Sequence, residues 1–337
     1  MYHVTIKDIA RKLNVAVSTV SRAFNDKYDI KKDTRELILK TAAEMGYRPN
    51  PIAKKLIQRR TYNVGVIVPE FINSFFPEVI SGIQKILVEK KYQVLIMSSN
   101  ECFETERENL MTMEDNMVDG LIISLSCETK NTDYLLKMMK EGFPIIMFNR
   151  VNEEIPISKV VFDDYKWAFF ATEHLIEQGC RNIYHFSGPQ YLNFAKNRMS
   201  GFRDAMNKHK VPFASEQIIE TGLLIEDGER VMESLIKKGT LPEAIFAVND
   251  PTAIGAMKML KRYKIKIPND VAVVGFTECT LAPLVEPALT SVVQPTFEMG
   301  RQVANLLLKQ IGEEDHAKVE TIVLGGKINV RESSLKE

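Results

Sequence analysis

Two α/β subdomains, each a doubly wound parallel sheet, preceded by a small all-α head, make up the fold that this 337-residue sequence predicts. From Asn63 onward, short apolar runs alternate with amphipathic stretches in two successive series, which is how strands buried on both faces read. Before Asn63 the apolar residues recur at the 3.6-residue spacing of short helices instead. With 45% hydrophobic and 26% charged residues the composition is that of an ordinary globular chain, long enough for ~two or three domains.

Charge divides the chain in the same place. Residues 1–63 hold 14 Lys or Arg against 6 Asp or Glu, whereas the remainder holds 30 against 38. A basic head on an acidic body points to a polyanion as the partner of the head. The start, M-Y-H-V-T-I-K-D-I-A, offers no apolar core of signal-peptide length, and no segment approaches ~18 uninterrupted apolar residues, so a cytoplasmic location is expected and no membrane partner. Cys102, Cys127, Cys180 and Cys279 lie far apart with no C-x-x-C pair. They are expected as buried small hydrophobes, with no metal site and no disulfide framework.

In the head, Thr5 precedes I-K-D-I-A-R-K-L, where Ile6, Ile9, Ala10 and Leu13 share a face and Asp8 completes a T-x-x-D capping pattern. Asn14 to Ala16 make a turn. A helix from about Val17 then points Val20 and Phe24 one way and Ser18, Thr19 and Arg22 the other. A third helix, around Asp33 to Met45, would close the core with Leu37, Ile38, Ala42 and Met45. Two short helices joined by a three-residue turn form the helix-turn-helix pattern, whose second helix enters the major groove. Small three-helix units also serve as protein-interaction modules, but the charge excess favours DNA. So does the next segment, G-Y-R-P-N-P-I-A-K-K-L-I-Q-R-R-T, in which Asn50 and Pro51 can start a helix over Ile52 to Gln58. A helix so short folds only against a partner, and Lys54, Lys55, Arg59 and Arg60 suit phosphates.

In the body, the runs are N-V-G-V-I-V-P, Y-Q-V-L-I-M-S-S, G-L-I-I-S-L, P-I-I-M-F-N and K-V-V-F-D-D, followed by N-I-Y-H-F-S-G-P, A-I-F-A-V-N-D and V-A-V-V-G-F-T-E. Ligands of such sheets sit beyond the carboxyl ends of the strands, and between two lobes the cleft is the natural pocket. Strands here end in polar pairs: Asn149 and Arg150, Asp163 and Asp164, Asn249 and Asp250, Thr277 and Glu278. Phosphate-loop, nucleophile-elbow and zinc-protease motifs are all absent from the sequence, and the scattered His174 and His185 are expected to be structural. The chain is therefore not expected to be an enzyme.

The head segments V-T-I-K-D-I-A-R-K-L-N-V, S-T-V-S-R-A-F-N, T-R-E-L-I-L-K-T-A-A-E-M-G-Y-R-P-N and I-A-K-K-L resemble those of the LacI/GalR family of bacterial transcription regulators. In the body the resemblance continues through A-I-F-A-V-N-D-P-T-A-I-G-A, I-P-N-D-V-A-V-V-G-F, P-A-L-T-S-V-V-Q-P and N-R-M-S-G-F to V-R-E-S-S. It implies a DNA-binding headpiece (1–48), a hinge helix and linker (49–61) and a periplasmic-binding-protein-like effector and dimerisation core (62–337). Three crossovers would place about 62–162 and 291–320 in the first lobe, and 163–290 and 321–333 in the second.

On that resemblance Val17, Ser18 and Arg22 face base edges and Thr19 and Ser21 the backbone, with Thr5, Asn25, Lys31, Tyr47, Ala53 and Lys55 as further DNA contacts. Leu56 would wedge into the minor groove of a pseudo-palindromic operator. The family usually has Ser where this chain has Ala16 and Lys31, both helix starts. Effector contacts carry over to Arg198 and Asp250, to Phe75 and Phe76 as aromatic cover, and to Asn149, Asn249 and Gln294. Thr277 and Glu278 stand where the family commonly reads D-D. The upstream arginine of the purine-binding branch falls near Leu192, which favours a sugar, sugar phosphate or sugar acid. With no leucine heptad after V-R-E-S-S-L-K-E, a homodimeric repressor under effector control is expected, with no cofactor. The rival from another class is a cytoplasmic sugar sensor or enzyme on the same core with a protein-binding head.

Overall fold

In the computed structural model the described residues are 4–24, 30–47, 60–312 and 319–336, and the chain divides into two units, residues 1–61 and 62–337. Asn25, Ala53, Lys55 and Leu56, and with them the expected hinge helix, lie outside the described residues.

The first unit contains helices α1 (Ile6–Leu13), α2 (Val17–Phe24) and α3 (Lys32–Glu44). The Asp8 carboxylate marks the start of α1 by accepting from the Thr5 N–H (2.9 Å) and hydroxyl (2.7 Å), contacts that hold it below the usual carboxylate range. Asn14 ends the helix in the left-handed region at φ 52°, a conformation Asn tolerates, and so turns the chain into α2. Ile9, Ala10, Val20, Ala23, Ile38 and Ala42 form the core, and Phe24 packs on Tyr47 with ring centres 5.2 Å apart. One core assignment is corrected: Leu37 is 54% exposed. The inward stripe of α3 runs through Ile38, Thr41 and Ala42, and Leu37 lies about 100° to one side of Ile38.

The second unit carries two sheets. In the first, β1 (Asn63–Val68), β2 (Gln93–Ser98), β3 (Leu121–Ile123), β4 (Ile145–Phe148), β5 (Ser158–Phe162) and β11 (Thr321–Leu324) run in the order β11-β5-β4-β3-β1-β2, all parallel. In the second, β6 (Ile183–Phe186), β7 (Ile218–Ile219), β8 (Ala244–Ala247), β9 (Ala272–Thr277), β10 (Thr290–Val293) and β12 (Lys327–Asn329) run β12-β10-β9-β8-β6-β7, with β12 alone antiparallel.

The apolar runs behave as two-sided strands: Val64, Val66 and Val68 enter one core while Ile67 enters the opposite one. Helices α4 (Phe75–Glu89) and α11 (Thr296–Gly312) cover one face of the first sheet; α5 (Phe103–Asp115) and α6 (Asp133–Lys140) cover the other. Helices α7 (Asp164–Glu177) and α8 (Asn193–Lys208) cover one face of the second sheet, opposite α9 (Ile225–Lys238) and α10 (Asp250–Arg262).

The chain passes between the lobes three times, after β5, β10 and β11. Two boundaries are corrected. Residues 290–293 form β10 of the second sheet before α11 returns to the first lobe, and residues 321–324 form β11 of the first sheet, where the second lobe was expected. Strand pairing decides this: β11 registers with β5 from Thr321↔Lys159 to Leu324↔Phe162, a partnership that short half-buried strands do not announce in sequence. Among the described residues no helix is long and apolar enough to cross a membrane.

The cysteines depart from expectation. Cys180 is buried, but Cys102, Cys127 and Cys279 are half-buried on loops, Cys279 packing against the edge of the second lobe's core and Cys127 against a smaller apolar cluster. Both structural histidines are housed as expected. His185 is stacked between Phe202 and Phe246 with Nδ1 2.9 Å from the Phe246 carbonyl, and burial pushes it down to about 3. His174 Nε2 lies 2.8 Å from the Ser334 hydroxyl.

Candidate functional site

Each sheet reverses its strand order beside its first strand, β2-β1-β3 in one and β7-β6-β8 in the other, and the loops at the carboxyl ends open there into a crevice. The two crevices meet in one cleft holding about 580 Å³, part of it open to solvent. Glu70 and Asn73 to Phe76 follow β1, and Asn149 and Arg150 follow β4. From the second lobe come Phe194 and Arg198 of α8, Leu223, Asn249, Pro251, Thr277 and Cys279, and Gln294 lies on the crossover after β10.

Arg198 is 3% exposed and makes three hydrogen bonds to two partners: Nε and Nη2 donate to Asp164 Oδ1 (2.8 and 2.6 Å), and Nη1 donates to the Val248 carbonyl. Its guanidinium stacks 3.6 Å from the Phe276 ring centre, and these bonds use three of its five N–H groups. Burial pushes the Asp164 carboxyl up against the opposing pull of Arg198. Across the cleft Arg150 donates from Nη1 to both Glu101 oxygens, at 2.7 Å each, and lies over Phe76. Phe75 and Phe76 meet edge to face, presenting apolar carbon to the cleft.

Among the described residues that line the cleft, two buried donors have no partner, Gln294 Nε2 and Arg150 Nε. Such groups cost free energy until a ligand's acceptor reaches them. The backbone is also strained here: Asn149, Thr277 and Glu278 have φ of 56°, 106° and 63°, and for the β-branched Thr277 that is an outlier of the kind that clusters at ligand sites.

The expected effector residues divide. Phe75, Phe76, Asn149, Arg198, Asn249 and Gln294 line the cleft together. Asn249 serves structure as well, its side chain accepting from Thr252 N–H at the start of α10 and donating to the Leu223 carbonyl. Asp250 is corrected. It does not line the cleft but lies behind it, fully buried, accepting from the Ser291 hydroxyl (2.5 Å) and the Cys279 N–H (2.6 Å). Glu278 also turns away, held by Arg331 and Asn329, so Thr277 alone of that pair faces the cleft. Arg150 and Thr277, which the sequence marked as polar strand ends without counting them among the effector contacts, also line the cleft. Phe194 and Leu223 carry no local signal.

In the head, α2 exposes Val17 (39%), Ser18 and Arg22, with Thr19 and Ser21 half-buried at its flanks. Lys31 is exposed at the start of α3, and Thr5 is exposed beside α1. Tyr47 is half-buried against Phe24. The structure thus separates the polar face of α2 from its core face, as the periodicity predicts.

A three-helix head that offers the polar face of its second helix, on a chain that continues as a two-lobed ligand cleft, defines a DNA-binding regulator controlled by a small molecule. Residues 5–50 match the model of bacterial regulatory proteins of the lacI family, and residues 172–334 that of the periplasmic binding protein-like domain. The chain is 32% identical to catabolite control protein A of Priestia megaterium over 93% of its own length and 94% of that protein's. It is also 32% identical to the ribose operon repressor of Halalkalibacterium halodurans, over 91% and 90%. Among solved structures, the complex of the transcriptional regulator CelR with cellobiose superposes with a TM-score of 0.74 at 29% identity, covering 98% of this chain and all of that one. This chain therefore belongs to the lacI family of bacterial regulatory proteins.

Proposed function

We propose that the protein is a cytoplasmic, homodimeric repressor that reads a pseudo-palindromic operator through α2 and is controlled by a sugar or sugar derivative in the interlobe cleft. The observation that carries the effector reading is the meeting of aromatic carbon from Phe75 and Phe76 with unpartnered donors from Arg150 and Gln294 in one cleft between the lobes. A pyranose or furanose offers the matching surfaces, an apolar face and a ring of acceptor hydroxyls. Relatives of similar length are a ribose operon repressor and a regulator solved in complex with cellobiose, which supports the same class.

Because the cleft draws on both lobes, a ligand that bridges them favours one interlobe angle, and control requires only that the two angles differ in ligand affinity. The site reads as one of binding, not turnover: Glu101 and Asp164 are each locked on an arginine, and His185 is buried away from the cleft, so none of the three is poised as an acid or base. On the DNA, Arg22 can bond guanine in a bidentate way and Val17 can pack on a thymine methyl. Two-fold symmetry of the protein would match that of the site.

Selection of binding sites from random duplex DNA, followed by titration of the winner at several salt concentrations, tests the reading. A pseudo-palindrome with a deformable central C-G step and a steep salt slope is expected. Failure to enrich any site, with and without a sugar library, would overturn it.

A further inference from the structure

The interlobe cleft is lined by two cations, Arg150 and Arg198, and each is already matched by a carboxylate of its own lobe. In the first lobe Arg150, with its side chain 7% exposed, holds Glu101 through both carboxylate oxygens. In the second lobe the Arg198 and Asp164 side chains are 4% and 8% exposed, joined through two N–H donors. The remaining charge in the lining is negative. Glu70 closes its own loop, one oxygen accepting from the Ile72 and Asn73 N–H groups and the other from the Asn73 side-chain amide. Beyond Asn73, Ser74, Pro251 and Cys279 the cleft widens into a mouth lined by apolar residues such as Phe71, Ile72, Pro77, Leu224 and Leu281, whose one charged lining residue is Glu226. Behind the wall stands Asp250, again a carboxyl.

An incoming phosphate or carboxylate would therefore meet no cation that is not already neutralised, and would have to shed water beside carboxylates. Hydroxyls, in contrast, are the acceptors that Gln294 Nε2 and Arg150 Nε lack, and they supply them without adding charge. We propose that the effector carries no anionic group: the cleft selects a neutral saccharide and discriminates against sugar phosphates and sugar acids, because each lobe has neutralised its own arginine. This narrows the sugar reading given above and rests on it. Each arginine is matched within its own lobe, so the discrimination holds whether the lobes are apart or closed.

Calorimetric titration of the full chain at fixed ionic strength, with ribose against ribose 5-phosphate and cellobiose against cellobionate, tests the selectivity. The neutral member of the pair that binds should be favoured by at least about 50-fold. An anionic member that binds as tightly or more tightly overturns the proposal and leaves the sugar reading intact. Inorganic phosphate is the second probe and needs no knowledge of the sugar. Wild type should show no saturable binding, while Glu101→Gln, which frees Arg150, should acquire it. Saturable phosphate binding to wild type that is lost in Arg198→Gln overturns the proposal. If none of the four sugars binds while phosphate behaves as expected, the neutral-cleft inference is supported and ribose and cellobiose are excluded as effectors.

Discussion

Asp250 packs so closely on Gly275 that a Cβ at that glycine would lie 2.2 Å from its Oδ1. Burial, partly offset by the Ser291 and Cys279 hydrogen bonds, pushes its carboxyl up to about 7 from an ordinary 3.8. Between those values the folded protein holds a proton that the unfolded chain has released, so folding is favoured by acid in this window. The stability contributed by this group is complete below about pH 4 and is lost as pH rises to about 7. Urea unfolding of wild type and Asp250→Asn at pH 5 and pH 8 should show wild type losing more stability than the variant over that interval. Parallel losses would remove Asp250 from the account. Cys279, pushed up to about 12 by its burial and by Asp250, stays a neutral thiol throughout.

Helix pairs explain how the lobes keep their shape while a cleft lies between them. Helices α4 and α11 approach until a Cβ on Gly300 would meet the Val79 carbonyl oxygen at 2.0 Å, and one on Gly82 would meet the Phe297 carbonyl oxygen at 2.1 Å. Backbone cannot yield as a long side chain can, so Gly300→Ala should cost at least about 2 kcal/mol, measured by urea unfolding. A neutral substitution would mean that α11 slides freely, and with it the element that follows the cleft residue Gln294. In the head, α2 starts after Ala16, which offers no side-chain acceptor to the first turn. Ala16→Ser should stabilise that helix by about 1 kcal/mol, seen as slower amide exchange at Thr19 and Val20. Unchanged exchange would show that the backbone bonds from these residues to the Ala16 carbonyl already suffice.

At the scale of the whole molecule, control of DNA binding by an effector is a coupling free energy. An effector that changes operator affinity ~100-fold supplies ~2.7 kcal/mol, and the operator must change effector affinity by the same factor. Titrating the effector into the protein with and without saturating operator should give that ratio. Equal affinities would show that the cleft does not control the head.

How much of this was legible beforehand depends on whether the information was local. The unbroken apolar runs of N-V-G-V-I-V and its fellows specify strands, because a strand buried on both faces must be apolar along its length. The 3.6-residue period specifies the α2 stripe of Val20 and Ala23 and hence the exposed face of Ser18 and Arg22. Family resemblance named Phe75, Phe76, Arg198 and Gln294, and strand-end polarity pointed to the cleft. Which sheet β10 and β11 join, that Asp250 braces the wall from behind, that Glu278 turns to Arg331, and that Arg150 and Arg198 are each neutralised within their own lobe are decided only in three dimensions. Each depends on contacts between residues tens of positions apart, where neither periodicity nor propensity carries information, and where burial and the satisfaction of charge select one arrangement.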